Sequence, residues 1–341
     1  MQSADNVYSV YLGVRKTPLE APFAVPAANA ILPGMNKIER MHTMLRGERP
    51  DRVPAGFWFH FPESAVAGTA MAQAHIDYYR AADPDLLKVM NDNGYEAVGV
   101  DVVRSPADWR KLEPAPLSSA PYQAQLAGLR ELVDVLGGEV LMATTIFNPY
   151  ATGNKISDNK VTEHLKEAPE AVSAGLGAIA ESLAAFSAAC IDAGAAGIYF
   201  SAQGGDASRF TAEEHLRYIK PHDVTVLEAA TAAGATCNIL HICGRGIRLQ
   251  HYVDYPGHTV NWAPQNDNLS LTAGRDLFRR PIIGGIDERG PIVDGPRAAI
   301  AAEVHGALAT MGSAGFMVGA GCTLPNDVDV EHLAWAREAV S

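Results

Sequence analysis

The strongest constraint on this chain's fold is the alternation of short apolar runs with Ala- and Leu-rich amphipathic stretches. Strand-like runs lie at 53–59, 85–90, 140–147, 195–200, 235–243, 259–262, 281–286 and 315–318. Stretches with helical spacing fall between several of them, such as 169–189, 212–233 and 295–311. Eight strands alternating with helices predict an α/β chain closed into a parallel (β/α)8 TIM barrel. The runs from Val140 onward are the clearest. A second apolar run at 97–103 makes the strand count ambiguous in its neighbourhood. The competing fold is an open doubly wound sheet. Against it, no G-x-G-x-x-G turn opens a helix after the first strand.

The barrel is expected to occupy 36–341 as a single catalytic domain. Asn36 is placed to cap a helix that runs through Ile38, Met41, Met44 and Leu45 to Gly47. Residues 1–35 are rich in Pro and Ala and hold no sustained period, so they read as an N-terminal extension. Such an arm would lie on the surface or strap a homodimer.

Composition narrows the partners. With 48% hydrophobic and 19% charged residues, a packed core is expected rather than disorder. A formal net charge of −12 disfavours nucleic acid, anionic membranes and polyanionic substrates unless a local basic pocket exists, and no cluster of Lys and Arg stands out. No run of eighteen apolar residues is evident, so no membrane span is expected. The start, MQSADNVYSV, lacks the basic and apolar regions of a secretory signal. Four cysteines in 341 residues do not make a disulfide framework, and a reducing, cytoplasmic setting is expected.

The chemistry concentrates in two stretches. The first is Ile239-Leu240-His241-Ile242-Cys243-Gly244 at the end of a strand-like run. Strand side chains alternate, so His241 and Cys243 point to the same face. The second is Gly319-Ala320-Gly321-Cys322-Thr323-Leu324-Pro325, which follows the last apolar run at the same end of a barrel. One imidazole and two thiolates make a soft, near-tetrahedral donor set that suits zinc. Three protein ligands leave a fourth position open, as in a catalytic site. The flanking glycines permit close backbone approach. The plainer alternative is that these three are packing residues. Cys237 shares the face of Cys243 but lies six residues earlier, ~20 Å along a strand. It and Cys190, in a helical stretch, are expected in the core.

Other polar residues fall where strands are expected to end. His60 follows the first run, and Asn91, Asp92 and Asn93 the second. Asn148 follows the third, Gln203 and Asp206 the fourth, and Asp287 and Glu288 the seventh. Barrel loops at that face carry function, and the same residue types also cap helices and close turns. His60 and Asp287 are the candidate catalytic groups. Asn91, Asn93, Asn148, Ser201 and Gln203 are the candidate substrate contacts. His215, His222, His251 and His258 are expected to be surface or structural.

Six stretches together resemble the uroporphyrinogen decarboxylase superfamily, from about Asn36 to the C-terminus. They are Arg49-Pro50-Asp51-Arg52-Val53-Pro54, Gly197-Ile198-Tyr199-Phe200-Ser201, Leu240-His241-Ile242-Cys243-Gly244, Asn261-Trp262, Gly284-Gly285-Ile286-Asp287 and Gly321-Cys322-Thr323-Leu324-Pro325. The resemblance implies a barrel fold and is less specific about the reaction. The decarboxylase itself fits poorly. Its first strand leads into an Arg-Gln-Ala-Gly-Arg segment that grips porphyrinogen carboxylates, and this chain has Phe59-His60-Phe61-Pro62-Glu63 there. A substrate with many carboxylates needs arginine forks. Where the decarboxylase carries Gly-His-Gly, this chain has Ala320-Gly321-Cys322. Ser201 does match a serine of the family's substrate pocket.

The chain looks more like the branch of methylcobamide–coenzyme M methyltransferases, whose His-x-Cys and distant Cys hold zinc. Those positions match His241, Cys243 and Cys322. Cobalamin-independent methionine synthase adds a Glu on the following strand, and here that neighbourhood reads Asn261-Trp262-Ala263-Pro264-Gln265-Asn266-Asp267, without one. Asp287 is a weaker candidate for the fourth ligand. The resemblance implies methyl transfer from a methyl-corrinoid or small methylated donor to a thiol. No Asp-x-His-x-x-Gly corrinoid motif is present, so any cobalamin must arrive on a partner protein. Two alternatives stand beside this reading. One is a metal-dependent decarboxylase or lyase acting on a small acid. The other is a barrel that binds a ligand without turnover.

Overall fold

The computed structural model describes residues 34–341. The expected extension, 1–35, lies outside the described residues except for its last two. Seven strands form one sheet: β1 (Leu86–Val89), β2 (Leu141–Phe147), β3 (Gly197–Ala202), β4 (Ile239–Ile242), β5 (Thr259–Asn261), β6 (Ile282–Ile286) and β7 (Phe316–Ala320). Every neighbouring pair is parallel, and the order in the sheet is the order in the chain. A doubly wound sheet reverses its strand order at a switch point, and this sheet has no reversal. Right-handed crossovers laid down in one direction put the helices on one face and curl the other inward.

The expected eighth strand is corrected. Residues 53–59 form no strand and make only isolated bridges, Ala55 with Val318 and Phe59 with Leu324. The segment still reaches both sheet edges: Asp85 N–H donates to Ala55 O at 2.8 Å, and Gly56 N–H donates to Val318 O at 3.0 Å. Pro54 has no N–H to extend a ladder. The sheet is therefore a curled, TIM-like half-barrel of seven strands rather than a closed ring of eight. The ambiguous run 97–103 also forms no strand, and only an isolated bridge joins Val98 to Glu113.

Two-residue alternation along the strands divides the core. The larger cluster lies between sheet and helices and includes Leu87, Val89, Ile146, Ile198, Phe200, Leu240 and Val260. The smaller cluster gathers the opposite face: Trp58, Leu86, Met90, Leu141, Ala143, Tyr199, Ile239, Ile283 and Met317. Met41 and Met44 from the helix Lys37–Leu45 join this inner cluster and are fully buried. That helix begins as expected. Asn36 and Glu39 form a reciprocal capping box, satisfying two otherwise unpaired backbone donors.

The helix Pro169–Asp192 is long and apolar enough to cross a membrane by length and composition, with a mean hydropathy of 1.6. Here it is a core helix. Its Val172, Leu176, Ile179, Leu183 and Phe186 recur at helical spacing and are buried, while Glu170 and Glu181 face outward. Gly175 lets Trp109 pack against its backbone, since a Cβ there would sit 2.7 Å from the indole. Cys190 on this helix and Cys237 in the inner cluster are both buried, as expected. His215 is buried against Tyr252 and is structural rather than a surface group.

Candidate metal centre

At the C-terminal mouth of the curled sheet a cavity of about 580 Å³ opens. His241, on β4, and Cys243, one residue past its end, point into it. Cys322 enters two residues beyond β7. The imidazole nitrogen and the two sulfurs all lie within 4.8 Å of one another. His241 Nε2 is 3.7 Å from Cys322 Sγ. Bonds of about 2.0–2.1 Å to nitrogen and about 2.3 Å to sulfur put donor atoms roughly 3.5–3.8 Å apart around a tetrahedral zinc. The donor set and its spacing therefore fit such an ion.

Asn261 on β5 fixes the imidazole. Its Nδ2 donates to two backbone carbonyls, Ile283 O at 3.0 Å and Ala320 O at 3.1 Å. That assignment leaves its Oδ1 as an acceptor, 2.6 Å from His241 Nδ1. Nδ1 must carry the proton, so Nε2 keeps its lone pair and faces Cys322. Tyr199 donates to the same Oδ1 at 3.3 Å and stacks on the imidazole with ring centres 5.2 Å apart. Two glycines make room. Gly244, directly after Cys243, sits at φ +142, and a Cβ on Gly321 would lie 2.7 Å from the Ala263 backbone.

The two thiols influence each other. Cys322 is pushed well below the ordinary thiol range, first by a hydrogen bond from Cys243 and then by His241. Cys243 is pushed up by the negative sulfur beside it and by burial. One thiolate is thus favoured before any ion binds.

The remaining candidate residues separate by position. Ser201 and Gln203 line the same cavity, and so does His60. His60 Nδ1 meets both oxygens of Asp92, at 2.8 and 2.9 Å. Burial raises the Asp92 carboxyl, but the hydrogen bond and charge of His60 outweigh it and hold the group below its usual range. Asn91 and Asn93 lie instead at a small side pocket, donating to Thr145 O at 3.2 Å and Gln125 Oε1 at 2.8 Å. Asn148 is fully buried and caps the helix Pro149–Ile156, and it donates to Asp223 at 3.1 Å. Asp206 accepts from Arg245 N–H at 3.0 Å. Asp287 holds a turn, accepting from Arg289 N–H at 2.9 Å and from Gln265 at 3.2 Å. Glu288 is buried beside it, accepts from Gln265, and is raised by burial and by the nearby Cys322.

Lys88, Thr145, Tyr199 and Arg289 also line the cavity and were not singled out from the sequence. Lys88 was visible only as a lysine inside the apolar run 85–90.

The family model for uroporphyrinogen decarboxylase matches residues 36–341. The chain belongs to this family. Among curated proteins none matches it. Solved structures with a similar fold include a methyltransferase from Methanosarcina mazei, 16% identical, with a TM-score of 0.72 over 89% of this chain and 98% of that one. A B12-independent methionine synthase from a Shewanella species is 12% identical, with a TM-score of 0.57 over 85% of this chain and 98% of the other. At these identities the likeness concerns the fold.

Asn261 gives this centre a direct test. Removing the partner that orients a metal-binding histidine typically costs about ten- to a hundredfold in metal affinity. Asn261→Ala is expected to weaken zinc binding by that range in competition with a chromogenic chelator. Unchanged affinity would show that His241 needs no such support.

Proposed function

We propose that this family member transfers a methyl group to a thiol at a zinc site held by His241, Cys243 and Cys322. The observation that carries the reading is the convergence of one imidazole and two thiols at the mouth, with no fourth ligand among the described residues. When bound, zinc supplies a Lewis acid that makes a thiol acidic near neutral pH. The chain's own part is to position and to move the proton. Two thiolates and a neutral imidazole cancel the ion's charge, which favours an electron-rich sulfur over the acidic water of a hydrolytic site. The His60–Asp92 pair lines the same cavity and is placed to take the proton that the thiol loses. The thiol sulfur forms the new bond to carbon, and the electron pair of the broken methyl bond stays with the donor. A methyl-corrinoid carried by a partner protein, or a small methylated compound, would serve as that donor.

Porphyrinogen decarboxylation is a poorer fit. The only cationic side chains lining the cavity are Lys88 and Arg289, with no set of arginine forks. The test uses zinc-replete protein, a panel of small thiols and methylcobalamin. Thioether formation that depends on both thiol and metal is the expected result. The reading fails if no thiol binds at the metal and no methyl group is exchanged with any corrinoid donor.

A further inference from the structure

The inner face of β1 carries a charge where its neighbours are apolar. Lys88 lies between Leu86 and Met90 on that face, beside Trp58 and Tyr199. Its residue is only 3% exposed. Its Nζ sits 4.4 Å from the Tyr199 ring centre and 5.9 Å from that of Trp58, and it reaches Met90 Sδ at 2.9 Å. Among the described residues no carboxylate lies within ion-pair distance of it. Burying an ammonium without a partner is costly, and two ring faces and a thioether offset only part of that cost. A methionine would fill the same space without the penalty.

A second orphan lies beside it. Trp58 is 2% exposed, and its Nε1–H has no hydrogen-bond acceptor. The interior therefore holds an excess of donors. What would satisfy both is a group that only accepts, and the cavity wall formed by Lys88 leads directly to such a place. Thr145 and Ser201 hydroxyls line the same cavity. Tyr199 links this region to the metal centre, with Lys88 over its ring and His241 stacked on it. A short carbon chain would span the two.

We propose that Lys88, supported by Trp58, anchors an anionic head group of the substrate, so that the cavity selects small thiols carrying a carboxylate or similar oxyanion. This rests on the thiol reading of the metal centre for the other end of the substrate. The direction of the Lys88 shift agrees: burial pulls it down to about 7, so a bound anion would restore its charge.

The experiment is calorimetric binding to zinc-loaded protein with three probes. These are 3-mercaptopropionate, 2-mercaptoethanol and propionate. In the wild type, 3-mercaptopropionate is expected to bind about ten- to a hundredfold tighter than 2-mercaptoethanol, as one charge-assisted hydrogen bond would give. Lys88→Met should erase that advantage while leaving 2-mercaptoethanol affinity and zinc content unchanged. Retained zinc and an unaltered circular dichroism spectrum show that the variant is folded. Lys88→Arg, which keeps the charge, should retain part of the preference. The proposal is overturned if the wild type shows no preference for the anionic thiol, or if Lys88→Met keeps it. If no thiol binds but propionate does, and Lys88→Met abolishes this, the anchor stands and the thiol reading falls. If none of the three probes binds, both fall.

Discussion

Protein purified without chelator should carry about one zinc per chain, and Cys243→Ala and Cys322→Ala should each lose it. The expected effect is large because every ligand matters in a small set. Binding of zinc to a complete protein site is worth about 10–16 kcal/mol at neutral pH. Removing one of three donors should then weaken affinity by roughly a thousandfold or more. The loss is sharpened by geometry. The three donor atoms lie within 4.8 Å of one another, and no fourth His, Cys or carboxylate of the described residues joins that group to compensate. Elemental analysis gives the stoichiometry. Cys190→Ala and Cys237→Ala are the matched controls. Both thiols are buried far from water, and burial raises both of them, so neither is suited to act as a thiolate. A wild type free of metal, or equal loss of zinc in the controls, would remove the basis for zinc chemistry here.

The parts that could be read from the sequence were those set by local spacing. His241 and Cys243 share a face because strands alternate, whichever sheet they join. Cys322 could be placed with them because all strands of a parallel sheet end on the same side. Lys88 could not be read this way. Inside the run 85–90 a lysine looks like a strand's solvent face, and only the curl of the sheet turns that face inward. Asn261 stood out as a family marker, yet its function depends on Ile283 and Ala320, two strands brought beside it by the register. Asn148 shows the opposite error. A polar residue at a strand end suggested a substrate contact, but the helix that follows claims its side chain as a cap. The missing eighth strand has a similar origin. Apolar composition marked 53–59 as buried, which it is, but composition does not report whether backbone groups find a continuous ladder.

Asp85→Ala is expected to destabilise the fold by about 3–5 kcal/mol, the range for breaking a buried ion pair from one side. Asp85 precedes β1, at the end of the sheet opposite the cavity, and its side chain is fully buried. It accepts from Arg40 Nη1 at 2.8 Å, from Arg52 Nη1 at 2.7 Å and Nη2 at 2.8 Å, and from the Ala55 N–H at 2.9 Å. Arg40 also holds Asp51 through Nε at 2.7 Å and Nη2 at 2.9 Å. The carboxylate thereby ties the first helix, the turn after it, residues 53–59 and β1 into one cluster. Those residues lack a full ladder, so side-chain bonds carry more of the burden of holding them between the sheet edges. Removing the carboxylate strands a guanidinium that is mostly buried and leaves a backbone N–H unpaired, and both penalties are paid in the folded state only. Urea unfolding monitored by circular dichroism would measure the loss, and Asp85→Asn should cost less because it keeps the shape and some of the acceptors. Zinc content of the folded fraction should not change, since the cluster and the metal centre sit at opposite ends. A loss under about 1 kcal/mol would mean that the cluster behaves like a solvated surface pair and that packing of Phe57 and Trp58 alone seats the segment.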